Sequence, residues 1–323
     1  MSRAQSASLR LAFATAAWGL SFPTAIAVMK VQGDLMPGRA DWFHAAFILL
    51  NRMVLATLVM LLILRGRVKG LTRLEVRQGL ELGLFGGLGM LLQTDAQHHI
   101  AASTSAFFTQ FTCVFVPLYV ALRSRRVPSA KIVTACLLVI AGCAVLSGVR
   151  LGEIGFGRGE WETILSAVLF TGQIVCLERA VFSPNDATRT ATVMFAVKGA
   201  LFVPFVLAGG VAGAGAAFVS PPLIAMTVIL ALFSTVYSYV TMTRWQPHVT
   251  STQAGLIYAS EPIFATLWAL FLPGLFSAFA GIQYANEHLT LRFFIGGTLI
   301  LAANALVVFR QNQPPHGDPA PMA

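Results

Sequence analysis

Ionisable and amide side chains stand inside long apolar runs at only a few positions of this 323-residue chain, and chemistry would have to happen there. Glu261 lies within such a run and is followed at once by Pro262. Proline removes a backbone donor and frees a carbonyl one turn earlier, near Tyr258, so a kink with exposed polar backbone is expected there. Apolar surroundings favour the neutral form of a carboxyl group, which suits a proton-coupling residue; a carboxylate hydrogen-bonded to a neighbouring helix is the other reading. Arg52, beside Asn51, also has two roles open to it. Its guanidinium offers a bidentate fork to a carboxylate ligand, or it pairs with Glu261 and lowers the burial cost of both.

Weaker candidates surround these two. Lys198 has a stem long enough to carry its charge toward the end of its run. Gln110 and Gln173 put neutral amides into apolar segments, where amides either touch a ligand or join helices. Trp18 sits mid-run, as a ligand wall or as core. Asp95, flanked by Gln93 and Gln97, comes near the end of a run; the two glutamines share a helix face, and Asp95 points elsewhere. His98 and His99 follow, but nothing near them in sequence completes a tetrahedral metal site, so no metal and no cofactor are expected.

The elements that must position these residues follow from composition. Apolar residues make up 56% of the chain, charged ones 11%, and mean hydropathy is +0.74; soluble domains carry about 25% charged residues. Apolar stretches near 20 residues recur, long enough for helices to cross a ~30 Å hydrocarbon core. None alternates as a β-barrel strand would. The class is an all-α integral membrane protein. Ten spans are expected, at 9–30, 43–64, 77–99, 103–122, 130–149, 161–182, 190–211, 223–243, 252–272 and 290–310. The apolar piece 273–288 between the last two reads as interfacial or re-entrant, with an eleventh helix as the alternative.

The net charge of +9 does not indicate nucleic acid, because the basic residues fall in short clusters between apolar runs. Fifteen of the 22 Lys and Arg lie on the side that includes the N-terminus and five on the other, which predicts both termini in the cytoplasm. MSRAQSASLR resembles the basic start of a signal peptide, but the run after it is too long, and it reads as an uncleaved first helix. The four cysteines lie inside apolar runs, with no CxxC pattern. Residues 311–323 read as a disordered tail.

The ends of the two halves overlay at an offset of 161, setting KIVTACLLVIAGCAVL (131–146) against RFFIGGTLILAANALV (292–307). Upstream, TSAFFTQFTCVFVPLYVAL resembles STQAGLIYASEPIFATLWAL, with Pro117 opposite Pro262. Two five-helix repeats are therefore expected, 1–150 and 151–310. Five is odd, so the second copy must be inserted upside down, with a site near the midplane between halves. Gly79, Gly83 and Gly87 form a small-residue stripe assigned to packing within the chain.

WGLSFPTAIAVMK (18–30), TSAFFTQFTCVFVP (104–117), TQAGLIYASEPIFATLWALF (252–271) and NEHLTLRFFIGGTLILAANAL (286–306) resemble the signatures of the EamA-type drug/metabolite transporter superfamily. In that family the ninth helix usually runs straight into a Gly-Glu-Arg-like turn; here Glu287 resembles that glutamate, and 273–285 intervenes. The resemblance implies a secondary transporter exporting small metabolites such as amino acids, in a bacterial inner membrane, as a monomer or homodimer. Its expected partners are a small-molecule substrate, the lipid bilayer and protons. Sugar-phosphate, nucleotide-sugar or lipid-linked substrates are the alternative within the superfamily, and an intramembrane enzyme is the alternative class. No GxxxxGK[ST], GxSxG or HExxH motif occurs, which argues against ATP-driven transport and against an enzyme.

Overall fold

The computed structural model describes residues 2–66, 70–100, 102–148, 156–210 and 213–308. The expected disordered tail, 311–323, lies outside them. Among the described residues every regular element is helical. The first half holds α1 (Arg3–Gly19), α2 (Ser21–Leu35), α3 (Asp41–Leu64), α4 (Arg73–His99), α5 (Ala102–Thr109), α6 (Thr112–Ser124) and α7 (Ala130–Ser147). The second half begins with α8 (Arg158–Glu178), α9 (Ala187–Gly209), the short α10 (Gly215–Phe218) and α11 (Pro221–Ile229). A π-helical stretch, Leu230–Tyr237, joins α11 to α12 (Ser238–Trp245). Then follow α13 (Ser251–Tyr258), α14 (Glu261–Ala269), α15 (Leu272–Ala280) and α16 (Leu291–Val308).

Each predicted span coincides with one helix or with a broken pair. Seven helices are long and apolar enough to cross a membrane, and up to eight if α13–α14 and α15, bent by 51°, count as one span. The chain is thus a multi-pass, all-helical membrane protein. Of the ten predicted spans, two fall short among the described residues: α4, which carries Arg73, Glu75, Arg77, Glu81 and Asp95, on apolarity, and α16 on length. At 273–288 the chain forms α15, reverses at Gly281 (φ 69°) and runs without helix to 290.

Local sequence explains where helices begin. In α1, α4, α7, α9 and α13 an N-cap side chain (Ser2, Thr72, Ser129, Asp186, Thr250) accepts from the backbone N–H three residues on. Each such cap satisfies an otherwise orphaned donor and contributes about 1 kcal/mol.

Packing depends on close backbone approach. The stripe of Gly79, Gly83 and Gly87 faces α9, where added Cβ atoms would lie 2.5 Å from Val193, 2.6 Å from Val197 and 2.8 Å from Leu201. It serves packing within the chain. Gly142 and Gly296 meet between α7 and α16, where a Cβ on either would strike the other's carbonyl oxygen, at 2.8 and 2.5 Å.

Candidate functional site

Four of the spans are irregular inside their length, and all four irregularities meet at one place. The first span breaks between Gly19 and Ser21, the fourth at Gln110 and Phe111, and the ninth between Tyr258 and Glu261. The eighth loosens into its π-helical turn. A break frees backbone donors and acceptors, which hydrocarbon does not tolerate but a protein-lined cavity does. At this crossing lies a cavity of about 100 Å³, walled by residues of both halves of the chain.

Six of the seven predicted binding residues line it: Trp18, Arg52, Gln110, Gln173, Tyr258 and Glu261. Three owe their position to a break. Trp18 immediately precedes the last residue of α1, Tyr258 ends α13 and Glu261 begins α14. Asn51 does not line the cavity, because its Nδ2 donates to its own helix at Phe47 O, 2.8 Å away.

Arg52 and Glu261 share the cavity without an ion pair between them among the described residues. Arg52, 6% exposed, donates through Nη2 to Ser234 O (2.8 Å) and through Nε to Thr235 Oγ1. Both acceptors belong to the π-helical turn, whose wider winding re-aims backbone groups. The Gln110 amide faces the Glu261 carboxyl. The permanent Arg52–Glu261 pair, one of two expectations, is therefore not formed here.

An aromatic wall completes the site. Trp18 meets Tyr239 edge-on at 5.2 Å and Tyr258 at 5.1 Å. Its buried Nε1 has no acceptor among the described residues, which leaves one donor on a cavity-lining ring. Behind this wall Gln246, 1% exposed, donates to Ile174 O (2.6 Å) and accepts from the Tyr258 hydroxyl (2.9 Å). Gln246→Leu would orphan a carbonyl and a hydroxyl together, at a cost of about 2–4 kcal/mol. Thermal unfolding in detergent should register this as a lowered midpoint, with Tyr258→Phe milder.

Lys198 corrects a prediction. It does not snorkel to a helix end but is fully buried, its Nζ 3.8 Å from the centre of the Tyr239 ring and 3.6 Å from Met90 Sδ. A cation over an aromatic face is attracted by the ring quadrupole. Lys198 thus stands one layer behind the cavity, touching two residues that line it.

Asp95 also lies away from the cavity. It bonds the Arg158 guanidinium and approaches His99 Nε2 at 3.8 Å, while Arg158 Nε reaches Glu162 at 2.6 Å. Asp95, His99 and Glu162 bring potential ligand atoms within 4.8 Å of one another. The sequence could not pair His99 with Glu162, which the fold supplies from α8; the Arg158 guanidinium bonds both carboxylates.

Gln93 and Gln97, expected to share a face, both line the central cavity. Tyr239 and Met90 were not anticipated. Tyr239 had one signal, the density of hydroxyls in STVYSYVTMT (234–243), which is unusual for a lipid-facing run.

A helical membrane bundle whose broken helices surround a polar and aromatic cavity is the arrangement expected of a membrane transporter. Residues 9–148 match the model of the EamA-like transporter family. An uncharacterized transporter of Archaeoglobus fulgidus is 25% identical over 304 residues, covering 94% of this chain and 86% of the relative. A solved crystal structure, 18% identical, superposes with a TM-score of 0.63 over 93% of this chain and 96% of the other, a likeness of fold. The chain is thus similar to EamA-type transporters of the drug/metabolite transporter superfamily, over 9–148 by the family model and over most of its length by the relative.

Proposed function

We propose that the protein is a secondary transporter that exports small amphiphilic metabolites, amino acids or close relatives, by alternating access at the central cavity. The observation that carries this reading is the meeting of Arg52, Glu261 and the Trp18–Tyr239–Tyr258 wall at one enclosed point. A carboxylate fits the guanidinium, an ammonium or a transported proton fits Glu261, and an apolar body fits the rings. The protein sits in a bacterial inner membrane with both termini inside, and Glu261 couples transport to protons.

The ten-helix, two-repeat organisation belongs to the same reading. Exchanging the halves sends α3 to α9 and α7 to α16, and each of these pairs packs together. It sends the α4–α8 contact to the contact of α1 with α12, and the α5–α8 contact to that of α1 with α13 and α14; all of these are present. Pro117 and Pro262 are 145 residues apart, whereas 131–146 and 292–307 are 161 apart. The difference of sixteen equals the length of 273–288, so one insertion accounts for the change of register.

Sugar-phosphate or nucleotide-sugar substrates fit less well. Several basic residues should face such a ligand, and of the two candidates Arg52 lines the cavity and Lys198 stands behind it.

Cells overproducing the protein should resist and excrete one compound out of a panel of amino acids and amphiphilic metabolites. Accumulation inside the cells would reverse the direction, and loss of nothing from the panel would defeat the substrate class. For a carboxylate-bearing substrate, Arg52→Gln should weaken affinity roughly 10- to 100-fold, as loss of a charge-assisted hydrogen bond implies. Unchanged affinity in surviving protein would assign Arg52 to structure.

A further inference from the structure

A second cavity, of about 330 Å³, opens where α7 ends and α16 begins. Phe22, 8% exposed, lines both this cavity and the central one, so its side chain is shared between them. Pro262 lines the second cavity directly beside Glu261 of the first.

The insertion after α14 builds one wall. Glu287 N–H donates to Ala269 O (2.9 Å) and Gly274 N–H to Asn286 Oδ1 (2.6 Å). Ser277 Oγ donates to Tyr284 O (2.6 Å) and accepts from Tyr284 N–H (3.0 Å). These bonds fold the return segment along α15, and α15 packs on α2, the helix that carries Phe22.

Glu287, His288 and Arg292 lie on the cavity wall, and among the described residues none of the three makes an ion pair or a side-chain hydrogen bond. Ser147 lies on the same wall, and its buried Oγ has no hydrogen-bond partner among the described residues. Glu287, His288 and Arg292 are all exposed, and partial desolvation by the cavity wall holds the Glu287 carboxyl above the usual carboxylate range. Arg292 rests against Gly148, at the end of α7, where a cation complements the helix dipole. That accounts for Arg292, and Glu287 is exposed to solvent, but the buried Ser147 hydroxyl is left without a partner among the described residues. One acid and one base, neither in an ion pair among the described residues, on a cavity that shares Phe22 with the central site offer both charges to a zwitterionic ligand.

We propose that this cavity is a second ligand site, a vestibule beyond Phe22 that holds a small zwitterion by its carboxylate at Arg292 and its ammonium at Glu287. The vestibule rests on the transporter reading above, as a station on the path from the central cavity.

Equilibrium binding of radiolabelled L-phenylalanine to the purified full-length protein tests this, the probe being a zwitterion with a ring for the aromatic wall. Wild type should bind two equivalents, the Glu287→Gln/Arg292→Gln protein one, and the charge-conserving Glu287→Asp/Arg292→Lys protein two. Equal stoichiometry in all three overturns the vestibule and leaves the central site standing. A Gln/Gln protein that binds nothing also overturns it, since the two residues would then be structural. No binding by any of the three overturns the central reading as well.

Discussion

The Glu261→Gln protein should exchange substrate between the two faces of a proteoliposome yet fail to accumulate it against an imposed pH gradient. Glu261 lines the central cavity at the first residue of α14, after a helix break, with the Gln110 amide facing it and, among the described residues, no salt bridge to hold its charge. A carboxyl group so placed is free to gain a proton on one side and release it on the other. Glutamine preserves shape and hydrogen bonding and removes only the titration. One proton per substrate across a one-unit pH gradient supports about tenfold accumulation, and this should fall to none. Labelled substrate uptake with and without the gradient, beside counterflow without one, separates the two roles. If counterflow disappears too, Glu261 binds substrate or holds the fold, and the proton role is lost.

A larger effect on folding is expected at Gly296. A Cβ there would lie 2.5 Å from Gly142 O, 2.7 Å from Leu146 Cβ and 2.8 Å from Leu146 N. Two of these are backbone atoms, so the neighbours have no rotamer by which to retreat, and α7 and α16 must separate. Overpacking ordinarily costs about 1–3 kcal/mol, and a backbone clash belongs at or above the top of that range. Gly296→Leu should leave little protein in the monodisperse peak of a detergent size-exclusion profile. Gly33, in α2, has nothing within 4 Å of its would-be Cβ, so Gly33→Ala should stabilise by about 0.5–1 kcal/mol. Opposite signs at two helical glycines would trace the difference to the α7–α16 contact; equal effects would refute it.

Pro262 marks one of the helix breaks in the sequence itself, because proline cannot donate to the helix ladder. The break beside Trp18 and the one at Gln110 have no such marker. Gln110 and Gln173 were legible as misplaced amides, and both reach the cavity. Met90 was not, since a methionine in an apolar run looks the same whether it meets lipid, core or ligand, and Tyr239 was marked only by the hydroxyl-rich stretch 234–243 around it.

Apolar run length and the scatter of charge were enough to establish a helical membrane protein and the approximate ends of its spans, because burying a backbone in hydrocarbon leaves few other solutions. Individual polar residues within those runs were equally conspicuous, since each carries a cost that demands a reason. Which of them meet is a matter of rotation and depth, set by glycine contacts such as Gly142–Gly296 and by the breaks, which no local pattern encodes. So Arg52 came to rest on Ser234 and Thr235 rather than on Glu261, Lys198 lay against Tyr239 rather than at a helix end, and Glu162 joined Asp95 from 67 positions away. These are contacts between distant segments, whose energies exist only once the helices have packed.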